Sequence, residues 1–331
     1  MKLVLNSAFT FSDAQWQGLQ ALCPGLEIDQ RNVPADQLDV AGVEILVTEL
    51  VPRDLKGWSQ LRWVQLLSAG ANQILDHPIQ QTLIPITTAS GTHAVPIAQY
   101  VTCTWLMMAH RMEQLLKFKP NHTWPNRVAL AGRTLRGLTA GIVGYGSIGR
   151  ECARQLDALG MRVICQKHDP ASRRALGYVA WPGTGDPEGR IPAAWYGPGQ
   201  LQEMLGQCDL VVVTVPSTPQ TQGLIDRREL GWLKPGARMV IISRGGIVNE
   251  TALADALRGG QLAEAAVDCF VRAPLPPDHF FFDVPNLILT PHMSGVYAGF
   301  WPQLVGLLGE NLRRYQAGLP LLNLTSRQHG Y

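Results

Sequence analysis

Ala140-Gly-Ile-Val-Gly144-Tyr-Gly146-Ser147-Ile148-Gly149-Arg150 is the stretch that decides the fold. It sets Gly-x-Gly-x-x-Gly between an apolar run, Ala140–Val143, and a helical pattern over Ile148–Leu159. Each glycine has a physical task in such a segment. Gly144 makes a tight turn, Gly146 lets the backbone approach a pyrophosphate, and Gly149 lets the helix pack closely on the strand. The N–H groups at the helix start, from Ser147 and Ile148 onward, and the positive end of the helix dipole then meet the anion. The stretch reads as the strand–turn–helix of a dinucleotide site.

The following strand, Arg162–Cys165, runs on into Gln166-Lys167-His168-Asp169. An acid about 20 residues into such a unit ordinarily bonds the ribose 2′-hydroxyl of NAD. Counted from Gly149, that slot falls on Lys167, followed by His168. A cation there suits a 2′-phosphate and favours NADP(H) over NAD(H). Arg173 and Arg174 are close enough in sequence to contribute, whereas Asp169 is the acid that would restore NAD(H).

Further strands are expected at Val211–Val215, Met239–Ile242, Ala265–Val267 and Leu287–Leu289. Upstream, Lys2–Leu5, Val43–Val47, Trp63–Leu67 and Ile84–Thr88 read as strands, and Ser12–Leu22 as a helix capped by Ser12. His93–Met112 reads as a long, weakly charged helix, Asn121–Gly132 as loop, and the Gly/Pro-rich 183–199 as an inserted surface loop. This alternation predicts α/β architecture with parallel sheets covered by helices.

The chain has 331 residues, which at roughly 150 per domain suggests two domains. Apolar residues make up 46%, ample for two cores, and a net charge of +2 leaves no basic field for nucleic acid or an anionic membrane. The N-terminal stretch meets Ser12, Asp13 and Gln15 too soon for a signal peptide. The most apolar helical stretch, 100–109, is far short of the ~20 residues a membrane span needs. Cys23, Cys103, Cys152, Cys165, Cys208 and Cys269 form neither a CxxC pair nor a zinc spacing. They are expected to be buried, reduced thiols of a cytoplasmic protein with no metal site.

Four ordered blocks give a more specific resemblance. They are Leu67-Ser-Ala-Gly-Ala-Asn72, Ala89-Ser-Gly-Thr-His-Ala-Val-Pro-Ile-Ala-Gln99, Leu135 through Gly149, and Ser243-Arg-Gly-Gly-Ile-Val-Asn-Glu250 with Leu289-Thr-Pro-His292. In them the chain resembles the D-isomer-specific 2-hydroxyacid dehydrogenases, in the branch close to glyoxylate/hydroxypyruvate reductases. The resemblance implies two Rossmann-like, doubly wound parallel-sheet domains. The cofactor domain, 101–293, would be inserted into a discontinuous substrate domain, 1–100 plus 294–331, with the active site in the cleft. It also implies hydride transfer from NAD(P)H to a small 2-keto acid, giving a D-2-hydroxy acid, and a homodimer.

Residue by residue, Arg244 matches the arginine that grips the keto acid and polarises its carbonyl. His292 matches the proton donor. Ala69 and Gly70 match the loop whose amides receive the substrate carboxylate. Asp268 matches the acid that holds the nicotinamide carboxamide, and Pro216, Thr221 and Ser243 match cofactor contacts. His93, Tyr297 and Trp301 are candidates for the pocket wall or for core packing.

One departure stands out. A family Glu that supports the histidine precedes Pro-Leu-Pro, and here that position is Ala273. Asp278, Asp283 or Glu250 could substitute, or the histidine could act unaided. The alternative is a dinucleotide-binding regulatory protein with weak or no turnover.

Overall fold

The computed structural model describes residues 1–8, 10–39 and 41–326, so the end of the expected 294–331 segment, 327–331, lies outside the described residues. Two compact units emerge: Met1–His93 with Leu176–Pro182 and Tyr297–Tyr331, and Ala94–Ala175 with Gly183–Val296.

The first unit holds β1 (Lys2–Asn6), β2 (Glu27–Arg31), β3 (Ile45–Thr48), β4 (Trp63–Leu66) and β5 (Ile86–Thr87). They pair in parallel in the order β2-β1-β3-β4-β5. The interior strands β3 and β4 are buried throughout, as strands covered on both faces must be. β2, Glu-Ile-Asp-Gln-Arg, is half-exposed at the sheet edge, so its polar sequence carries no strand signal. Ser12 caps the helix Asp13–Leu22 through a reciprocal capping box with Gln15. The helix Phe300–Gln316 buries Leu304, Leu307, Leu308 and Leu312, a helical stripe, against Leu3, Leu5 and Leu19.

The second unit holds β6 (Thr139–Val143), β7 (Arg162–Gln166), β8 (Ala194–Tyr196), β9 (Leu210–Val213), β10 (Ala237–Ile241), β11 (Leu262–Val267) and β12 (Leu287–Leu289). All pairings are parallel, in the order β12-β11-β10-β9-β6-β7-β8. The chain reverses direction across the sheet at β6, which is where an open parallel sheet leaves a crevice for ligands. On one face the helix Ala94–Ala109 packs Ile97, Val101 and Trp105 with Cys152 and Leu156 of the helix Ser147–Ala158.

Three local expectations change. The segment 183–199 is more than a surface loop: it carries β8, paired with β7, and buries Asp186 and Tyr196. Residues 176–182 cluster with the first unit although their flanks belong to the second. There Tyr178 N–H donates to Asn323 Oδ1 at 3.0 Å. Finally, five of the six free thiols are buried, but Cys103 is exposed. No metal-binding cluster occurs among the described residues, and no described helix is long and apolar enough to cross a membrane.

Candidate active site and cofactor site

Because every strand of the second unit runs parallel, every strand delivers the residue after it to the same edge of the sheet. Gly144 follows β6, Lys167 follows β7, Pro216 lies past β9, Arg244 past β10, Asp268 follows β11 and His292 lies past β12. The sequence-expected residues of this unit therefore share one edge. Since β11 alone separates β10 from β12, the strands leading to Arg244 and His292 lie two inter-strand spacings apart, about 10 Å.

The turn behaves as its glycines require. Gly144 sits at φ +101°, and a Cβ there would lie 2.8 Å from Val215 N. Its N–H donates to Gln166 O at 3.0 Å and its carbonyl accepts from Thr214 Oγ1 at 2.5 Å. A Cβ on Gly149 would lie 2.3 Å from the Gly144 carbonyl oxygen. Gly146 precedes the helix Ser147–Ala158 without a side-chain cap, and the space beside its Cα is open. An uncapped helix start behind an open cradle fits a pyrophosphate.

At the end of β7, Lys167 is partly buried and donates from Nζ to the Ser172 carbonyl. Burial first, and then the nearby Arg150 cation, pull its pKa below the ordinary lysine value. His168 is exposed. Asp169 spends Oδ1 on the Ala171 N–H at 3.0 Å, a local turn. Past β9, Thr221 Oγ1 donates to Pro216 O at 2.6 Å and accepts from Thr218 N at 2.8 Å, closing Pro216–Thr221 into a tight turn.

Ser243 is buried, and its carbonyl accepts a 2.8 Å bond from Arg244 Nη1. Arg244 lines a small cavity with Gly245, Gly246, Glu250 and Cys269. Burial lowers its pKa, yet a guanidinium stays charged at neutrality. Gly245 is sterically required, because its Cβ would lie 2.1 Å from the Phe270 carbonyl.

Asp268 is the hub of the edge. It is buried, and its Oδ1 accepts from Thr290 Oγ1 at 2.6 Å and from Met293 N at 2.7 Å. Its Oδ2 accepts from Ser294 N at 2.9 Å. Thr290 has a single hydroxyl proton, so the 2.7 Å contact with Tyr100 must be donated by the tyrosine. Burial first of all pushes the Tyr100 phenol up to about 12, which keeps it a neutral donor. The carboxylate thus staples both sides of His292, which is exposed at φ +58° between those anchors. No described group hydrogen-bonds or ion-pairs with the His292 ring. Of the three carboxylates that could replace the absent Glu, Asp278 and Asp283 are exposed. Glu250 lines the Arg244 cavity, but Oε1 accepts from Val271 N at 2.8 Å and Oε2 lies 3.7 Å from His279 Nε2.

In the first unit, Ala69 and Gly70 follow β4, and no described group accepts from their N–H groups. Ser68 Oγ donates to Gly70 O at 2.7 Å and shapes the loop. His93 stacks on Phe300 at 4.7 Å, Tyr297 donates to Thr92 O, and Trp301 packs edge-on to Phe11.

The family profile described as "D-isomer specific 2-hydroxyacid dehydrogenase, NAD binding domain" matches residues 103–294. The chain belongs to this family. It is an NAD(P)-dependent oxidoreductase of the 2-hydroxyacid dehydrogenase type. A similar curated protein is an (S)-sulfolactate dehydrogenase of Chromohalobacter salexigens, 33% identical over 83% of this chain and 85% of that protein. Another is a hydroxypyruvate reductase of Blautia hydrogenotrophica, 23% identical over 97% and 98%. Among solved structures, a D-isomer specific 2-hydroxyacid dehydrogenase from Xanthobacter autotrophicus, in complex with NADPH and MES, superposes with a TM-score of 0.83. It is 26% identical, with 100% and 99% of the two chains covered.

Gly149→Val would force the helix away from the Gly144 carbonyl. NADPH affinity, read by fluorescence titration, is expected to fall at least about 10-fold, equivalent to about 1.4 kcal/mol, while circular dichroism retains the α/β signature.

Proposed function

We propose that the chain reduces a small 2-keto acid to the D-2-hydroxy acid with NADPH. The observation that supports this reading is the arrangement of Arg244, Asp268 and His292 after three adjacent parallel strands, on the sheet edge that also carries the Gly144–Gly149 turn. The reduced nicotinamide, when bound, supplies a hydride to the keto carbon. Arg244 holds the substrate carboxylate and draws electron density toward the carbonyl oxygen. His292 delivers a proton to that oxygen as it becomes an alkoxide. Its ring acts without a carboxylate partner, and its backbone is held instead by the Asp268 staple. Asp268 Oδ2 accepts from the Ser294 N–H and keeps a lone pair for the carboxamide. Ser243 and the Pro216–Thr221 turn line the same edge as cofactor contacts.

The preference for NADPH rests on Lys167 and His168 standing where an acid would read the 2′-hydroxyl, with Asp169 committed to its own turn. A cytoplasmic homodimer completes the reading. Leu106, Met107 and the exposed Cys103 form an open apolar groove on the helix Ala94–Ala109, and Trp124 and Val128 are almost fully exposed nearby in sequence. Such apolar area marks an association surface.

Absorbance assays with glyoxylate, hydroxypyruvate and sulfopyruvate should show NADPH oxidation. Tight cofactor binding with no turnover on any keto acid would instead favour a regulatory protein. Arg244→Ala should cost about 10²–10³-fold in kcat/KM, the loss of a half-buried charge contact to the substrate carboxylate, and His292→Gln about 10²–10⁴-fold.

Raising pH toward the ordinary lysine range should erode the NADPH-over-NADH preference. Lys167, held below the ordinary lysine range, loses its proton as pH rises, whereas a Lys167→Arg variant keeps its charge. In analytical ultracentrifugation, Leu106→Asp combined with Trp124→Asp should shift a dimer to monomer.

A further inference from the structure

The residue between the first two glycines of the turn is Tyr145, whose ring is almost wholly buried. A buried phenol needs a hydrogen-bond partner. The partner is Asp186, 41 residues away in the Gly/Pro-rich insertion, with Tyr145 Oη donating to Oδ2 at 2.7 Å. Asp186 is itself buried, and Oδ2 also accepts from Ile191 N at 3.1 Å while Oδ1 accepts from Arg190 N at 2.9 Å.

Two residues of the adjoining helix grip the same insertion. Arg150, also buried, donates from Nη1 to the Asp186 carbonyl at 2.5 Å and from Nη2 to the Arg173 carbonyl at 2.6 Å. Its guanidinium also lies 4.9 Å from the centre of the Tyr145 ring. Glu151 accepts from Gly185 N at 2.6 Å through Oε2. Trp195 of β8 closes the far side of Tyr145 edge-on at 4.9 Å, and Arg173 lies over the Trp195 ring.

The shape of a phosphate-binding turn is set by what holds its backbone. Gly144 is held by Gln166 and Thr214, but Gly146 has no side chain and the helix has no cap. Tyr145 is the one residue of Gly144–Gly146 whose side chain can anchor the peptide groups that face an anion. Its hydroxyl is bonded to a buried carboxylate, the stronger class of hydrogen bond in a low-dielectric setting.

We propose that Asp186 is a positioning residue for the dinucleotide: through the Tyr145 hydroxyl it fixes the Gly144–Gly146 turn in the form that receives the pyrophosphate, which makes the insertion part of the cofactor site. The proposal rests on the dinucleotide-binding reading of the turn and not on any keto acid. It is tested by cofactor binding alone, so a failed substrate screen leaves it standing.

Tyr145→Phe removes only the hydroxyl, whereas Asp186→Asn replaces one of the two carboxylate oxygens by a donor and keeps an acceptor for only one of the two backbone N–H groups. Calorimetric titration of the full chain with NADPH, and separately with NADH, should show Kd raised about 5–20-fold in each variant. The factor should be equal for the two cofactors, because the pyrophosphate is common to both. The double variant should bind no more weakly than the weaker single variant, as expected for two ends of one interaction. A purely structural role would lower the melting temperature and leave Kd within twofold of the unmodified chain, and that result overturns the proposal. So does a loss confined to one cofactor, or fully additive losses. If Asp186→Asn does not yield folded protein, Tyr145→Phe decides on the same twofold criterion.

Discussion

The closeness of one helix to one strand governs the second unit. Gly149 lies so near the Gly144 carbonyl that a single methyl group would not fit between them. That contact sets the helix Ser147–Ala158 behind β6 with its uncapped N–H groups directed at the turn. It also defines the sheet edge on which Lys167, Pro216, Arg244, Asp268 and His292 come after their strands. Parallel pairing then does the rest, because strands that share a direction deliver their following residues to a common edge without further instruction.

On that edge the His292 ring and the Arg244 cation are held by different means. Arg244, half-buried, is fixed by its bond to the Ser243 carbonyl and by the shape that Gly245 permits. His292 is exposed and in a left-handed conformation, so it needs an external anchor. Asp268 supplies it by accepting from Thr290, Met293 and Ser294, with Tyr100 donating to Thr290 from a helix on the other end of the chain segment. A carboxylate acting on the backbone around His292 is a different solution from one acting on its ring. It fixes the loop through the Met293 and Ser294 amides and bonds nothing on the ring. That is the physical meaning of Ala273 in this chain, and Glu250, committed to Val271 and near His279, does not reverse it.

The insertion after β7 is integrated into the unit. It contributes a strand to the sheet, a buried aspartate that accepts from Tyr145 and a carbonyl acceptor for the buried Arg150. The buried Asp186 and Arg150 are tolerated because both are hydrogen-bonded, and those bonds make the insertion harder to remove without disturbing the turn.

The glycine spacing, the apolar runs and the Arg244 and His292 blocks were legible in the linear chain. They are short-range signals: a turn that only glycine can make, a strand covered on both faces, a motif of adjacent residues. Strand β2 was not legible, since an edge strand with one solvated face can be built from Glu-Ile-Asp-Gln-Arg. Nor was β8, whose three residues follow a run of glycine and proline. The sequence by itself determined the fold class, the family and the place of the glycine turn, because those depend on neighbours a few positions apart. Only the tertiary structure decided that Asp268 anchors the His292 loop, that Glu250 turns elsewhere and that Asp186 holds Tyr145. These pairings join residues 21 to 41 positions apart, and burial rather than sequence proximity selects the partner of a buried polar group.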